Sequence, residues 1–142
     1  MQPPNGVLET CLYAEDLEAC ERFYQTVLGL ALLEYEPERH CFFHCGSGVF
    51  LLFNARRTSH HPGEVGGVPI PRHGAHGAGH VAFAVSPSEV PEWLERLQAA
   101  GVNVEADVSW PGGGRSLYVR DPAGNSVELA TPNIWEPPYQ LS

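Results

Sequence analysis

Three residues of this chain have the types and surroundings that chemistry needs: Glu9 in ETCLYA, His80 in GHVAFAV and Glu128 in SVELA. Glu128 stands between Val127 and Leu129 in a run that otherwise reads as buried. A carboxylate there wants a partner, because an unpaired buried charge is heavily penalised. One histidine and two carboxylates make a donor set for a divalent cation, Mn²⁺, Fe²⁺, Mg²⁺ or Zn²⁺, with positions left open for water or substrate. Such an ion would act as a Lewis acid, binding two substrate oxygens as a chelate and stabilising the negative charge that develops on them. Either glutamate could also move a proton, and Glu128 is the candidate catalytic residue.

Other groups of reactive types read as structural. His40 and His44 in HCFFHC share a strand face but lie about 13 Å apart at roughly 3.3 Å per residue, too far for one zinc ion, and Cys41 points the other way. Cys11 has no base placed to activate it and reads as a buried thiol. His60, His61, His73 and His76, with Arg56, Arg57 and Arg72, fall in a Gly- and Pro-rich connector. A connector of that length is disordered or a functional lid; the expectation is a partly ordered flap with surface histidines of no catalytic duty.

The elements that must position the three donors occur twice. Residues 7–14 read as a strand, and Asp16 can cap a helix in which Leu17, Cys20, Phe23, Tyr24, Val27 and Leu28 recur at three- and four-residue steps before Gly29. Strands are expected over 32–35, 41–43 and 49–53. The order then restarts: a strand over 79–85, a helix capped by Ser88 with Pro91 in its first turn and Gly101 at its end, then strands over 102–105, 114–120 and 126–130. The turn Asp121-Pro122-Ala123-Gly124 has the residues a type I turn prefers. The fold class is therefore α+β: two βαβββ modules forming a curved mixed sheet around a cleft. The division is module 1 at about 7–54, connector 55–78, module 2 at 79–132 and a tail at 133–142, within one domain. In this frame His80 and Glu9 hold one position used twice, and the counterpart of Glu128 in the first module falls at Leu51, which cannot bind a metal.

Length and charge exclude other classes. A chain of 142 residues suits one domain. A net charge of −9 with no basic patch argues against nucleic acid. No apolar run reaches the roughly 18 residues of a membrane span. The four cysteines lie in apolar or helical contexts, and the first residues lack a signal-peptide pattern, so a cytoplasmic location with free thiols is expected.

Glu9 to Leu17, Glu21-Arg22-Phe23-Tyr24 and Val27-Leu28-Gly29-Leu30, with Gly79-His80-Val81-Ala82-Phe83 and Asp121 to Leu129, resemble the signatures of the vicinal oxygen chelate superfamily, the glyoxalase/bleomycin resistance/dioxygenase fold. The resemblance spans about residues 7–132. It implies metal ligands at the positions of Glu9, Leu51, His80 and Glu128. The first is commonly His there, and Glu still permits coordination; Leu51 removes a ligand and leaves three. That argues against a four-ligand glyoxalase I and leans toward the layout of the fosfomycin-type transferases and the dioxygenases. In the transferases small hydroxyl residues and a tyrosine on the penultimate strand line the pocket, and Ser116 and Tyr118 match by position. Arg115 should point away from them, while Arg120 shares their face near the strand end. The candidate substrate-binding set is Cys11, Tyr13, Ser116, Tyr118 and Arg120. The resemblance also implies a small-molecule substrate, a homodimer and a divalent metal (Mn, Fe, Zn, Ni or Mg), with isomerisation, thiol addition to an epoxide or ring-cleaving oxygenation as the chemistry. The rival expectation is a metal-free sequestering protein of the bleomycin-resistance kind, with Trp110, Tyr13 and Tyr118 around a flat or cationic compound.

Overall fold

Asp16 starts the first helix as its position requires: its Oδ1 accepts from the Ala19 N–H at 3.0 Å, satisfying a donor that a helix start leaves open. The computed structural model describes residues 1–136, and the chain divides into two units, Met1–Gly77 and Ala78–Ser142. In the first, β1 (Glu9–Tyr13), α1 (Leu17–Thr26), β2 (Ala31–Glu36), β3 (His40–Cys45) and β4 (Gly48–Phe53) follow in turn. The sheet order is β1-β4-β3-β2, with β1 parallel to β4 and the other pairs antiparallel. α1 buries Leu17, Cys20, Phe23 and Tyr24, the single apolar stripe that its three- and four-residue spacing makes. Tyr24 packs with ring centroids 4.8 Å from Phe50 and 5.7 Å from Phe43. Ring pairs at such separations contribute about 0.5–1.5 kcal/mol each beyond the area they bury, so this sheet face is the core of the unit.

β4 leads into α2 (Ala55–His60) and a small hairpin of β5 (Glu64–Val65) and β6 (Val68–Pro69). The connector is thus partly regular and belongs to the first unit. Asn54 caps α2 by accepting from the Arg56 N–H at 3.1 Å. The helix buries only Ala55 and Thr58, which is why no apolar periodicity announces it.

The second unit repeats the first: β7 (His80–Ala84), α3 (Val90–Ala99), β8 (Ala106–Ser109), β9 (Arg115–Arg120) and β10 (Ser126–Ala130), in the order β7-β10-β9-β8. The Gly124 N–H reaches the Asp121 carbonyl at 2.9 Å, closing the expected turn. Two expectations are corrected. The helix begins from Ser86 rather than Ser88: a short 3-10 turn, Pro87–Glu89, precedes α3, and the Glu89 carboxylate accepts from the Ser86 N–H at 3.2 Å, the return half of a capping box. The strand expected over 102–105 lies at Ala106–Ser109. Val102 is used up by the helix end, where Gly101 takes φ 70° and the Val102 N–H bonds the Leu97 carbonyl at 2.9 Å. Among the described residues no helix is long and apolar enough to cross a membrane. The tail aromatic Tyr139 lies outside the described residues.

Candidate functional site

Register brings four side chains of the second unit together. Ser126 is the direct partner of His80 across the β7–β10 pair, Glu128 is the partner of Ala82, and Tyr118 on β9 stands opposite Glu128. Alternation puts all of them on one face of the sheet. His80 Nε2 lies 3.2 Å from Glu128 Oε2, and His80 Nδ1 lies 3.1 Å from the Ser126 carbonyl oxygen. The ring stacks on Tyr118 at 22°, with centroids 6.3 Å apart.

A carbonyl oxygen only accepts, so Nδ1 carries the hydrogen of this bond. Nε2 of the neutral ring is then a lone pair facing a carboxylate oxygen. Two acceptors at that distance are stable only with a cation to share, either a proton on Nε2 or a metal ion. Neighbouring donors each about 2.1 Å from one ion are themselves about 3.0–3.4 Å apart, and the observed 3.2 Å lies in that interval. The Glu128 side chain is 7% exposed, and its Oε1 is buried without a hydrogen-bond partner. A buried polar atom left so is the exception in folded proteins and calls for a ligand. The donors present therefore fit a divalent cation.

The surroundings sharpen the site. Burial, and then the neighbouring Glu128 carboxylate, push the Tyr118 phenol up, so it stays protonated at neutral pH and can donate. Ser116 is fully buried and its Oγ accepts from Trp110 Nε1–H at 2.8 Å, holding the half-exposed indole against β9. Ala82 and Ala84 leave space beside His80 on its own strand.

The turn before β10 anchors this group. Asn125, 1% exposed, accepts on Oδ1 from the Gly79 N–H at 2.8 Å and donates from Nδ2 to Asp121 Oδ2 at 3.0 Å. Asp121 Oδ1 accepts from the Ala123 and Asn125 N–H groups, both at 2.9 Å. The residue before His80 and the carbonyl that orients its ring are thus tied to one turn. Sequence reading took Asp121 to Gly124 as a turn only; Asn125, next to it, was the missed signal.

The remaining expected residues sit as follows. Arg120, expected among the substrate contacts, is committed to Glu105 through Nε at 2.7 Å and Nη2 at 3.0 Å, and to the Gly124 carbonyl through Nη1 at 3.2 Å. Arg115 is committed to Asp107 in the same manner. Glu9 is exposed at the start of β1, and its partner is Val49. Leu51 pairs with Cys11 as Glu128 pairs with Ala82, so the two registers coincide and Leu51, 7% exposed, is the counterpart of Glu128. Cys11 and Tyr13 are half-buried. The Tyr13 hydroxyl makes a 2.7 Å hydrogen bond with His73 Nδ1, and His73 is exposed. His40 in the HCFFHC run is buried and bonds Glu34 Oε1 at 3.0 Å. Among the described residues no group of three or more His, Cys, Asp or Glu side chains stands ready to hold a metal ion.

The family model of the Glyoxalase/Bleomycin resistance protein/Dioxygenase superfamily matches residues 6–129. A lactoylglutathione lyase structure from Agrobacterium tumefaciens is 44% identical, with a TM-score of 0.87 over 94% of this chain and 98% of that one. Metallothiol transferase FosB from Bacillus licheniformis is 27% identical over 133 residues, 92% of this chain and 78% of that protein. The fosfomycin resistance protein FosX from Mesorhizobium loti shares the fold, at 21% identity and a TM-score of 0.62 over 91% of this chain and 93% of that one.

Proposed function

Because this chain belongs to the Glyoxalase/Bleomycin resistance protein/Dioxygenase superfamily, we propose that it is a divalent-metal-dependent enzyme acting on a small molecule with two neighbouring oxygens. His80 and Glu128 are the core of the metal site, with further positions on the ion open to water and substrate. The observation that carries this reading is the acceptor pair His80 Nε2 and Glu128 Oε2 at 3.2 Å. The bound ion, one of Mn, Fe, Zn, Ni or Mg, supplies Lewis acidity to negative charge developing on substrate oxygen.

The chain's own residues do the rest. The Ser126 carbonyl fixes the tautomer and orientation of His80, as partners behind a metal-binding imidazole do. Tyr118 presents a protonated hydroxyl beside Glu128, a donor for a substrate oxygen. The indole of Trp110, held by Ser116, gives the substrate an apolar wall. Glu128 is the carboxylate proposed to take a proton from the substrate. The names of the relatives, a lyase and a metallothiol transferase, support an enzyme of this kind.

The test is elemental analysis of protein purified without chelator or immobilised nickel, beside Glu128→Gln prepared identically. Near-stoichiometric metal that falls at least tenfold in the variant is the expected result. Metal-free protein that takes up no added Mn²⁺, Fe²⁺, Zn²⁺ or Ni²⁺ would overturn the reading and favour a metal-free binding protein of the bleomycin-resistance kind.

A further inference from the structure

The two sheets share one register but present different surfaces. In the second unit the face that carries His80 is otherwise small and polar: Ala82, Ala84, Ala130 and Ser116 surround Glu128 and Tyr118. At matching positions of the first unit stand Cys11, Tyr13, Phe53 and His40, around Leu51 and Phe42. The position that carries a carboxylate in one copy carries an apolar side chain in the other, and rings replace alanine and serine around it.

These rings form a wall on the sheet face opposite α1. Phe42 and Phe53 meet edge to face at 5.2 Å and 72°, Phe53 meets the His73 ring at 4.8 Å and 77°, and Tyr13 lies 6.5 Å from Phe53. Tyr13, Phe42 and Phe53 are half-buried and His73 is exposed, so ring surface stays open to a ligand. His73 is not loosely placed. Its backbone N–H bonds the Thr58 carbonyl, and the next residue, Gly74, lies so close to α2 that a Cβ would stand 2.9 Å from the Ala55 carbonyl oxygen. The Tyr13 hydroxyl and His73 Nδ1 share a 2.7 Å hydrogen bond; in the tautomer in which Nδ1 accepts, the ring proton sits on Nε2 as a hydrogen-bond donor. Edge-to-face walls of this kind favour a flat ring over a saturated one of equal size, through ring quadrupoles.

We propose that Tyr13, Phe42, Phe53 and His73 form a subsite for an aromatic ring, with His73 Nε2–H donating to an oxygen on that ring. The substrate class is therefore an oxygen-substituted aromatic compound. The proposal goes beyond the function given above: the ring subsite lies within the first unit and needs no metal.

The test uses the full chain stripped with chelator, titrated with 2-naphthol and with its saturated analogue 2-decalol, by calorimetry and saturation-transfer NMR. The expected result is saturable 2-naphthol binding, with 2-decalol at least about threefold weaker. Phe53→Leu, which keeps apolar bulk, and His73→Gln should each weaken 2-naphthol by about three- to tenfold while far-UV circular dichroism stays unchanged. Equal binding of the two probes, or full 2-naphthol affinity in a folded Phe53→Leu or His73→Gln protein, overturns the proposal. Because the probes are read on metal-free protein, loss of the ring subsite leaves metal stoichiometry untouched. Conversely, an absence of metal binding leaves the naphthol comparison intact.

Discussion

Replacing Glu128 by glutamine should stabilise the metal-free protein while removing its response to metal. The carboxylate is 7% exposed and Oε1 has no partner, so without metal the folded state holds a buried, unsatisfied carboxyl oxygen. An unsatisfied buried polar atom costs about 1–3 kcal/mol. Glutamine keeps the shape, removes the charge and offers an N–H to the Nε2 lone pair of His80. A gain of about 1–2 kcal/mol follows, or about 3–8 °C in Tm for a chain of this size. With metal at a hundredfold its dissociation constant, the wild type gains about 2.7 kcal/mol, more than the variant's advantage, and the order of the two melting curves reverses. Circular dichroism melts in EDTA and in saturating Mn²⁺ or Zn²⁺ read both arms. A variant less stable than wild type in EDTA, or one that gains as much from metal, would refute the assignment of Glu128 as a ligand.

Other perturbations follow from the same geometry. Asn125→Ala removes the side-chain bonds to the Gly79 N–H and to Asp121 Oδ2; the expected cost is about 1–3 kcal/mol in chemical denaturation, with metal affinity reduced about tenfold or more. Burial pushes the Cys41 thiol up to about 12, and the side chain is fully covered, so iodoacetamide at pH 8 should label it only at the rate of unfolding, read by peptide mass mapping. The Asp107 carboxyl is held below its ordinary value by Arg115. Its contribution is complete above the unfolded carboxylate value of about 4 and is lost as the pH falls through the lower folded value. Asp107→Asn should therefore reduce the loss of stability on acidification, by a small amount because the pair is open to water; acid titrations followed by fluorescence measure it.

The duplication was legible because each module repeats a helix stop, a strand parity and a closing strand, and parity alone paired Glu9 with His80 and Leu51 with Glu128. The second strand of the later module was misplaced because Val102 serves the helix cap before any strand can start. α2 escaped because its buried face is only Ala55 and Thr58, too small to make an apolar period. In the site, His80 and Glu128 followed from residue type and strand position, while Ser116 and Tyr118 came from the family resemblance. Asn125 and His73 did not, since their partners lie 46 and 60 residues away and no local pattern announces a bond across that distance. Phe42 and Phe53 drew no site reading because alternation states which residues share a face, not whether that face is covered.

The route by which the second unit assembles follows from its two kinds of strand pairing. β9 and β10 are joined by a short turn closed by local bonds to Asp121, so this hairpin closes quickly and delivers Glu128, Tyr118 and the Ser126 carbonyl together. The bond from His80 to that carbonyl spans 46 residues and waits for a much longer loop to close, with α3 and β8 inside it. His80 therefore arrives after the hairpin has formed. An ion that needs both His80 and Glu128 would bind after the rate-limiting step of folding, slowing unfolding of this unit while leaving its folding rate unchanged.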